Sequence, residues 1–312
     1  MGYGKNHRIN RHDTILFYNL SINRMENILI FGVGLIGGSI ALKSKHAKVC
    51  NQIIAVERAG GTSLNEYVRS GMLDRIVTNL GDDISKADLI IVATPVAQTS
   101  EILKTIYPHL MPNTLITDVG STKENIMNDA ENALKEKSAQ FIGSHPIAGS
   151  EKHGPSAAQI NLFEDKNIII TPRQNTTNIL KDKLKKFWQA MGGIVSMMTA
   201  QEHDEIFSTI SHLPHLLAFS LVNLINDKEK KEVLLNFAAS GFRDFSRIAA
   251  SSPEVWRDIS IANKSSILKD LNLYKNELRK IINFIENEDQ ENLKNYFTNA
   301  SSTRQNWTDK KN

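Results

Sequence analysis

Between Ile28 and Glu57 the chain carries the pattern that most narrows what it can fold into. Ile28-Leu29-Ile30-Phe31 is a short apolar, β-prone run that leads into Gly32-Val33-Gly34-Leu35-Ile36-Gly37-Gly38. Ser39-Ile40-Ala41-Leu42-Lys43 then continues with helical periodicity, and a second apolar run, Ile53-Ile54-Ala55-Val56, ends on Glu57. Strand, glycine turn, helix, strand and acid follow one another. Gly32 permits a sharp turn, Gly34 close approach of a pyrophosphate, and Gly37 tight packing of helix on sheet. The helix N-terminus at Gly34-Leu35-Ile36-Gly37 offers free N–H groups to that anion. Glu57 stands 20 residues beyond Gly37, where a carboxylate can accept from both ribose hydroxyls of NAD. A dinucleotide site of the Rossmann type is expected, with NAD as cofactor. Arg58, beside that carboxylate, could tolerate NADP.

The rest of the first half repeats the theme. Leu89-Ile90-Ile91-Val92-Ala93 reads as a strand covered on both faces, ended by Thr94-Pro95-Val96. Further strands are expected at 115–118, 140–142, 168–171 and 193–197, with helices over 66–71, 122–137 and 178–191. Alternation of this kind predicts a mostly parallel sheet with helices on both sides. After Met198 the strand signals stop. A helical stripe runs from His203 to Ile225 (Ile206, Phe207, Ile210, Leu213, Leu217, Leu221, Leu224), with a kink expected at Pro214. More helices are read at 231–249, 253–262, 264–286 and 288–298. The fold class is therefore α/β, a Rossmann-type sheet followed by an all-helical part for substrate binding and dimerisation. The divisions expected are an extension over 1–24, a dinucleotide-binding domain over 25–198, a helical domain over 199–300 and a frayed tail over 301–312. The extension reads as a disordered or mis-started segment. The helical stripes carry more apolar surface than one small bundle can bury, so a homodimer is expected.

Composition removes other classes. Hydrophobic residues make up 41% and charged residues 23%, ordinary for a globular protein, and a net charge of +3 does not argue for nucleic acid. The single cysteine, Cys50, excludes an internal disulfide framework and suits a reducing, cytoplasmic setting. Its ordinary reading is a small buried hydrophobe. No apolar stretch is expected to reach bilayer length, so no membrane partner is expected.

Bound NAD needs a partner that gives or takes a hydride, together with an acid or base for a hydroxyl. Three stretches offer these groups. Gly143-Ser144-His145-Pro146-Ile147-Ala148-Gly149-Ser150-Glu151 follows a strand at the sheet's carboxyl edge, and His145 can exchange a proton near neutrality. The alternative is a histidine bonded to a loop carbonyl. In Asp118-Val119-Gly120-Ser121-Thr122-Lys123-Glu124, Ser121 and Glu124 have capping-box spacing, yet a capping serine there could also face the nicotinamide. In the helical half, Ser211-His212-Leu213-Pro214-His215 places two histidines three apart. No third ligand is obvious, so no metal is expected. Arg243 and Arg247, one turn apart, suit an organic acid, although an Asp244–Arg247 surface pair explains them equally well.

Taken in order, Gly32-x-Gly34-x-x-Gly37-Gly38-Ser39, Asp118-x-Gly120-Ser121-x-Lys123, His145-Pro146-x-x-Gly149, Ser211-His212-Leu213-Pro214-His215 and Gly241-Phe242-Arg243-Asp244-x-x-Arg247-Ile248-Ala249 resemble the prephenate dehydrogenase family, with its arogenate and cyclohexadienyl relatives of tyrosine biosynthesis. The similarity runs from about Met25 to Asn299. It implies oxidative decarboxylation, with hydride leaving the ring carbon that bears the 4-hydroxyl for NAD and the ring carboxylate leaving as CO2. By the same resemblance His145 would accept the hydrogen bond from the 4-hydroxyl, and Ser121 would orient that pair beside the nicotinamide. Arg247 would bind a substrate carboxylate, with His215 and Ser211 lining the pocket and Glu151 at its mouth. Ser150 stands where relatives often have threonine, and Thr94 and Pro95 match the cofactor-contact turn. Prephenate is the expected substrate, with arogenate as the alternative. The choice would turn on an acidic residue such as Asp204 or Glu151. No regulatory or chorismate mutase domain is expected, so feedback would act at the site itself. Another β-hydroxyacid-type dehydrogenase would need a catalytic lysine motif, which is not seen. An NAD-sensing regulator would have no use for His145 and Arg247 together.

Overall fold

A computed structural model describes residues 24–57, 64–77, 79–149 and 154–309. Residues 1–23 of the expected N-terminal extension, Arg58, Ser150 and Glu151 fall outside these residues. Strand β1 (Met25–Phe31) turns at the glycines into α1 (Leu35–His46), and β2 (Cys50–Val56) returns beside it. Next come α2 (Asn65–Arg69), β3 (Arg75–Ile76), α3 (Leu80–Ser85), β4 (Leu89–Val92) and α4 (Thr99–Ile106). β5 (Leu115–Asp118), α5 (Glu124–Leu134), β6 (Phe141–Pro146), β7 (Asn167–Thr171), α6 (Asn178–Ala190) and β8 (Ile194–Met197) complete the α/β half.

The eight strands form one sheet in the order β3-β2-β1-β4-β5-β6-β7-β8. All pairings are parallel except β6 with β7, where His145 lies opposite Ile169. The reversal at β1 between β2 and β4 opens the crevice in which a doubly wound sheet receives its ligand. The central strands are buried on both sides, which is why they read as continuous apolar runs. Ile28, Ile30, Ile53, Ala55, Leu89 and Ile91 pack on one face with Phe187 and Trp188 of α6. Leu29, Phe31, Ile54, Ile90 and Ile116 pack on the other with Leu103 and Ile106 of α4 and Ile126, Ala130 and Leu134 of α5. Cys50 belongs to the first cluster, and burial pushes its thiol up to about 12, as expected of a small hydrophobe.

From Ala200 the chain is helical. α7 (Ala200–Phe207) opens on a capping box between Thr199 and Glu202 and passes through a π-helical turn (Ser208–His212) into α8 (Leu213–Asn226). α9 (Lys231–Asn236), α10 (Ser240–Ser246), a 3₁₀ turn (Arg247–Ala250), α11 (Pro253–Ala262), α12 (Lys264–Glu286) and α13 (Gln290–Asp309) follow.

Several details differ from the sequence expectations. Where a kink was expected at Pro214, the structure has a π turn just before it and Pro214 in the first turn of α8. The helix read over 231–249 is three pieces, broken at Ala238-Ala239 before Gly241. The tail expected to fray from Ser301 continues as helix to Asp309. Its hydroxyls bond back along the helix, as from Thr303 to the Asn299 carbonyl at 3.0 Å. The segment Ala200–Asn226 does reach membrane-spanning length, 27 residues with a mean hydropathy of 1.2 in its most apolar window, contrary to the expectation. Its polar residues His203, Asp204 and His212 are buried in protein contacts, while Ile206, Ile210 and Leu224 are exposed.

Candidate active site

The glycine turn meets its demands in the backbone. Gly32 sits at φ +89°, where side chains are disfavoured, and a Cβ there would come within 2.7 Å of the Ala93 carbonyl oxygen. A Cβ on Gly37 would collide with the Gly32 carbonyl, so α1 can lie this close only with glycine. Gly34, by contrast, has nothing within 4 Å of its Cβ position, leaving open space over the helix N-terminus. Glu57 is exposed just past β2 and accepts a 2.8 Å hydrogen bond from the Leu64 backbone. The Thr94 hydroxyl is buried without a hydrogen-bond partner among the described residues, a polar atom still open to a ligand. An open cradle at a helix N-terminus, an acid at the end of the next strand and an orphaned hydroxyl fit a dinucleotide.

From that turn a cleft of about 750 Å³ runs to the helical half. Gly34, Leu35, Ile36, Thr94 and Pro95 of the first half of the sheet, Ser121 and His145 after β5 and in β6, and Ser211, His215 and Trp256 of the helical half all line it. Residues from six separated stretches of sequence therefore share one cavity. Gly32 and Gly37 act from behind it.

His145 is half-buried at the end of β6, and its partner is a side chain rather than a loop carbonyl. Its Nδ1 lies 2.7 Å from Nε2 of His203, and Nδ1 of His203 lies 2.7 Å from the Asp204 carboxylate. Asp204 in turn accepts from the backbone N–H groups of Lys123 at 2.8 Å and Glu124 at 2.9 Å, the first turn of α5. The helix is thus capped from α7, and the Ser121–Glu124 capping box expected from spacing does not form. This leaves Ser121 half-buried on the cleft wall. Asp204 is buried and fully engaged, so it cannot meet a substrate ammonium as the sequence reading allowed. The Phe207 ring lies 4.9 Å from His145 and stacks on His203 at 4.5 Å, packing against both imidazoles.

The electrostatics keep His145 neutral. Burial, then the neighbouring His203, Lys123 and His212, hold its pKa well below the ordinary value of 6.5. Lys123 is fully buried against Asp118, whose carboxylate also accepts from the backbone of Gly120 at 2.7 Å and Ser144 at 3.0 Å. This pair ties the end of β5 to the strand that carries His145. Beneath it, Ser144 lies 2.7 Å from the Thr117 hydroxyl and accepts from Trp188 at 3.0 Å.

The two histidines of the SHLPH segment part company. His212 is buried beside Asn263 at 3.2 Å, and burial lowers its pKa to about 4. His215 faces the cleft, its Nδ1 2.8 Å from the Ser211 carbonyl and its ring stacked on Trp256 at 3.8 Å. No group of three or more potential metal ligands occurs among the described residues.

Arg247 is exposed in the 3₁₀ turn and does not line the cleft, but its charge lowers the pKa of His215, after burial as the larger cause. No Asp244–Arg247 ion pair forms among the described residues, so the surface-pair alternative has no contact behind it. Sequence reasoning missed His203 as a site residue, together with Phe207 and Trp256 as pocket walls. The one available signal for His203 was the Thr199–Glu202 spacing, which fixes where α7 begins and so which face His203 shares with Phe207.

Comparison with known proteins places nearly the whole chain. A family model described as the prephenate dehydrogenase nucleotide-binding domain matches residues 40–197, and one described as its dimerization domain matches residues 199–299. The curated prephenate dehydrogenase of Bacillus subtilis is 39% identical over 286 residues, 91% of this chain and 76% of that protein. The crystal structure of prephenate dehydrogenase from A. aeolicus in complex with hydroxyphenyl propionate and NAD+ superposes with a TM-score of 0.83. It shows 33% identity and covers 90% of this chain and 98% of that one. Synechocystis arogenate dehydrogenase gives a TM-score of 0.78 and 27% identity over 90% of this chain and 99% of that one. The chain belongs to the prephenate dehydrogenase family.

Proposed function

We propose that this chain catalyses the NAD-dependent oxidative decarboxylation of prephenate to 4-hydroxyphenylpyruvate, a step of tyrosine biosynthesis. The observation that carries the reading is the shared cleft. It brings the open helix N-terminus at Gly34 together with a neutral histidine at the sheet edge and with Ser211 and His215 of the helical half. NAD supplies the hydride acceptor, and the relatives named above support the substrate class.

His145 would take the hydrogen bond and then the proton of the 4-hydroxyl as the ring carbon gives up hydride. Ser121, on the same wall, would orient that hydroxyl. Loss of the ring carboxylate as CO2 and aromatisation drive the reaction, so positioning and a partner for the developing carbonyl are what the protein must provide. Ser211 and His215 would line the substrate pocket. Trp256 and Phe207 would cover its apolar faces, and Arg247 would supply positive charge for a carboxylate. Ser150 and Glu151 would stand at the mouth. A homodimer built through the helical half would cover its exposed apolar residues, such as Phe237 and Ile261. The protein would act in the cytoplasm with no metal.

NADH formation with prephenate, arogenate and simple 3-hydroxy acids offered in turn tests this reading. Turnover of prephenate well above the others is expected. Turnover of 3-hydroxy acids alone would refute it.

A further inference from the structure

Resting on that reading, we infer that His203 and Asp204 are positioning residues that hold His145 in one tautomer, with its proton on Nδ1 and a bare Nε2 left for the substrate hydroxyl. The fixed end of the chain is Asp204. Its carboxylate accepts from two backbone N–H groups, of Lys123 and Glu124, and these donors cannot reverse. An ionised carboxylate has no proton to give, so Nδ1 of His203 must donate to it across 2.7 Å. A neutral imidazole carries one proton, so Nε2 of His203 is then an acceptor. The 2.7 Å contact to His145 requires a donor, and that donor is Nδ1–H of His145. Its Nε2 is left with a lone pair.

The alternative, a cationic His203 donating to His145, would invert this and present an N–H to the cleft. Burial opposes that charge on His203, as does Lys123, while Asp204 and Asp118 favour it and the net direction is downward. The groups facing the histidine pair are thus His203 and Asp204 on α7, His212 in the π turn, and Lys123 and Asp118 at the β5–α5 junction. During turnover the substrate O–H bond breaks and an N–H bond forms at Nε2. His145 becomes imidazolium with its Nδ1–H still donating to His203, and the Asp204 charge beyond offsets the new positive charge. A group that takes the other ring nitrogen's proton in a hydrogen bond commonly sets the orientation and basicity of the histidine it holds. An aspartate fixing a catalytic tautomer through a single hydrogen bond is the familiar two-residue case. Here an imidazole is interposed.

The full-length protein labelled with ¹⁵N-histidine, compared with His145→Asn for assignment, reads the tautomer directly and without substrate. A proton-bearing Nδ1 and a bare Nε2 on His145 are expected, and a proton-bearing Nε2 overturns the inference. His203→Phe keeps a ring beside Phe207 and removes both nitrogens. It should lower kcat by roughly 10–100-fold while leaving substrate KM and NAD affinity little changed. Asp204→Asn can keep an oxygen toward His203 but loses the charge, so the acid limb of its kcat profile should move to lower pH. An unchanged kcat in His203→Phe, or loss of NAD affinity in parallel with kcat, would reduce these residues to a structural role. Should wild type oxidise none of the acids offered, the functional reading falls while the tautomer measurement still decides this one.

Discussion

Replacing His145 by asparagine separates chemistry from binding more cleanly than any other change in the cleft. The amide can still donate to Nε2 of His203, so the wall formed by His203 and Phe207 keeps its contact, while the basic lone pair is lost. The glycine turn and Thr94 belong to other strands and are untouched by the change, so NAD affinity should be preserved. General-base catalysis contributes about 10²–10⁴-fold. Two features of this site place His145 near the middle of that range. Its lowered pKa keeps it entirely in the accepting form at neutral pH, and the same lowering weakens it as a base. A loss of about 10³-fold in kcat follows, or roughly 4 kcal/mol at ~1.36 kcal/mol per tenfold. The pH profile should report the same residue. Wild-type kcat/KM should fall only well below pH 6.5, as His145 gains its proton, and in the variant that limb should disappear. Initial rates of NADH formation across pH, with NAD affinity measured by fluorescence titration, check both halves. Turnover within a few-fold of wild type, or an unchanged acid limb, would remove His145 from the mechanism.

Gly37→Ala places a methyl group against the Gly32 carbonyl and must lift α1 off the sheet, so NAD should bind at least about tenfold more weakly, read by the same titration. Arg247→Gln should mainly raise substrate KM with kcat little changed, and an unchanged KM in steady-state kinetics would return this arginine to the surface. Stability should fall on acidification because His212 is held neutral in the fold. Its folded pKa of about 4 lies below the unfolded value near 6.5, so the unfolded chain binds the proton first, and stability present above pH 6.5 is lost on the way down to about pH 4. At roughly 1.4 kcal/mol per pH unit, urea titrations between those limits should register the loss for this group, and a flat profile would contradict its burial as a neutral ring.

The sheet was legible because its signals are local. Ile28 to Phe31 and Leu89 to Val92 are long enough to read as strands by themselves, and the glycine spacing fixes the turn from the first of them into α1. Arg75–Ile76 was not, since a strand of two residues is created by its neighbour and leaves no periodic trace. His145 and the SHLPH segment could be singled out, but not what holds them. The contact between His145 and His203 spans 58 residues, and the capping of α5 by Asp204 spans 80 and 81, so no spacing rule reaches either. A local rule gave the wrong cap for the same reason: Ser121 and Glu124 satisfy the spacing, but a carboxylate from another helix has taken the N–H groups. Arg247 is the reverse case, since its motif is distinctive while its side chain remains outside the cleft of the single chain.

The π turn at Ser208–His212 has a consequence for every comparison drawn along this helix. One additional residue in a turn advances the chain by about 100° around the axis, so the two flanking helices are out of phase. A single wheel drawn from Ala200 to Asn226 therefore misassigns the faces beyond the turn. The offset lets one continuous rod send His203 and Asp204 toward the sheet and, a few residues later, Ser211 and His215 toward the cleft. Removing one residue there would leave the rod helical and swing its second half away from everything the first half positions.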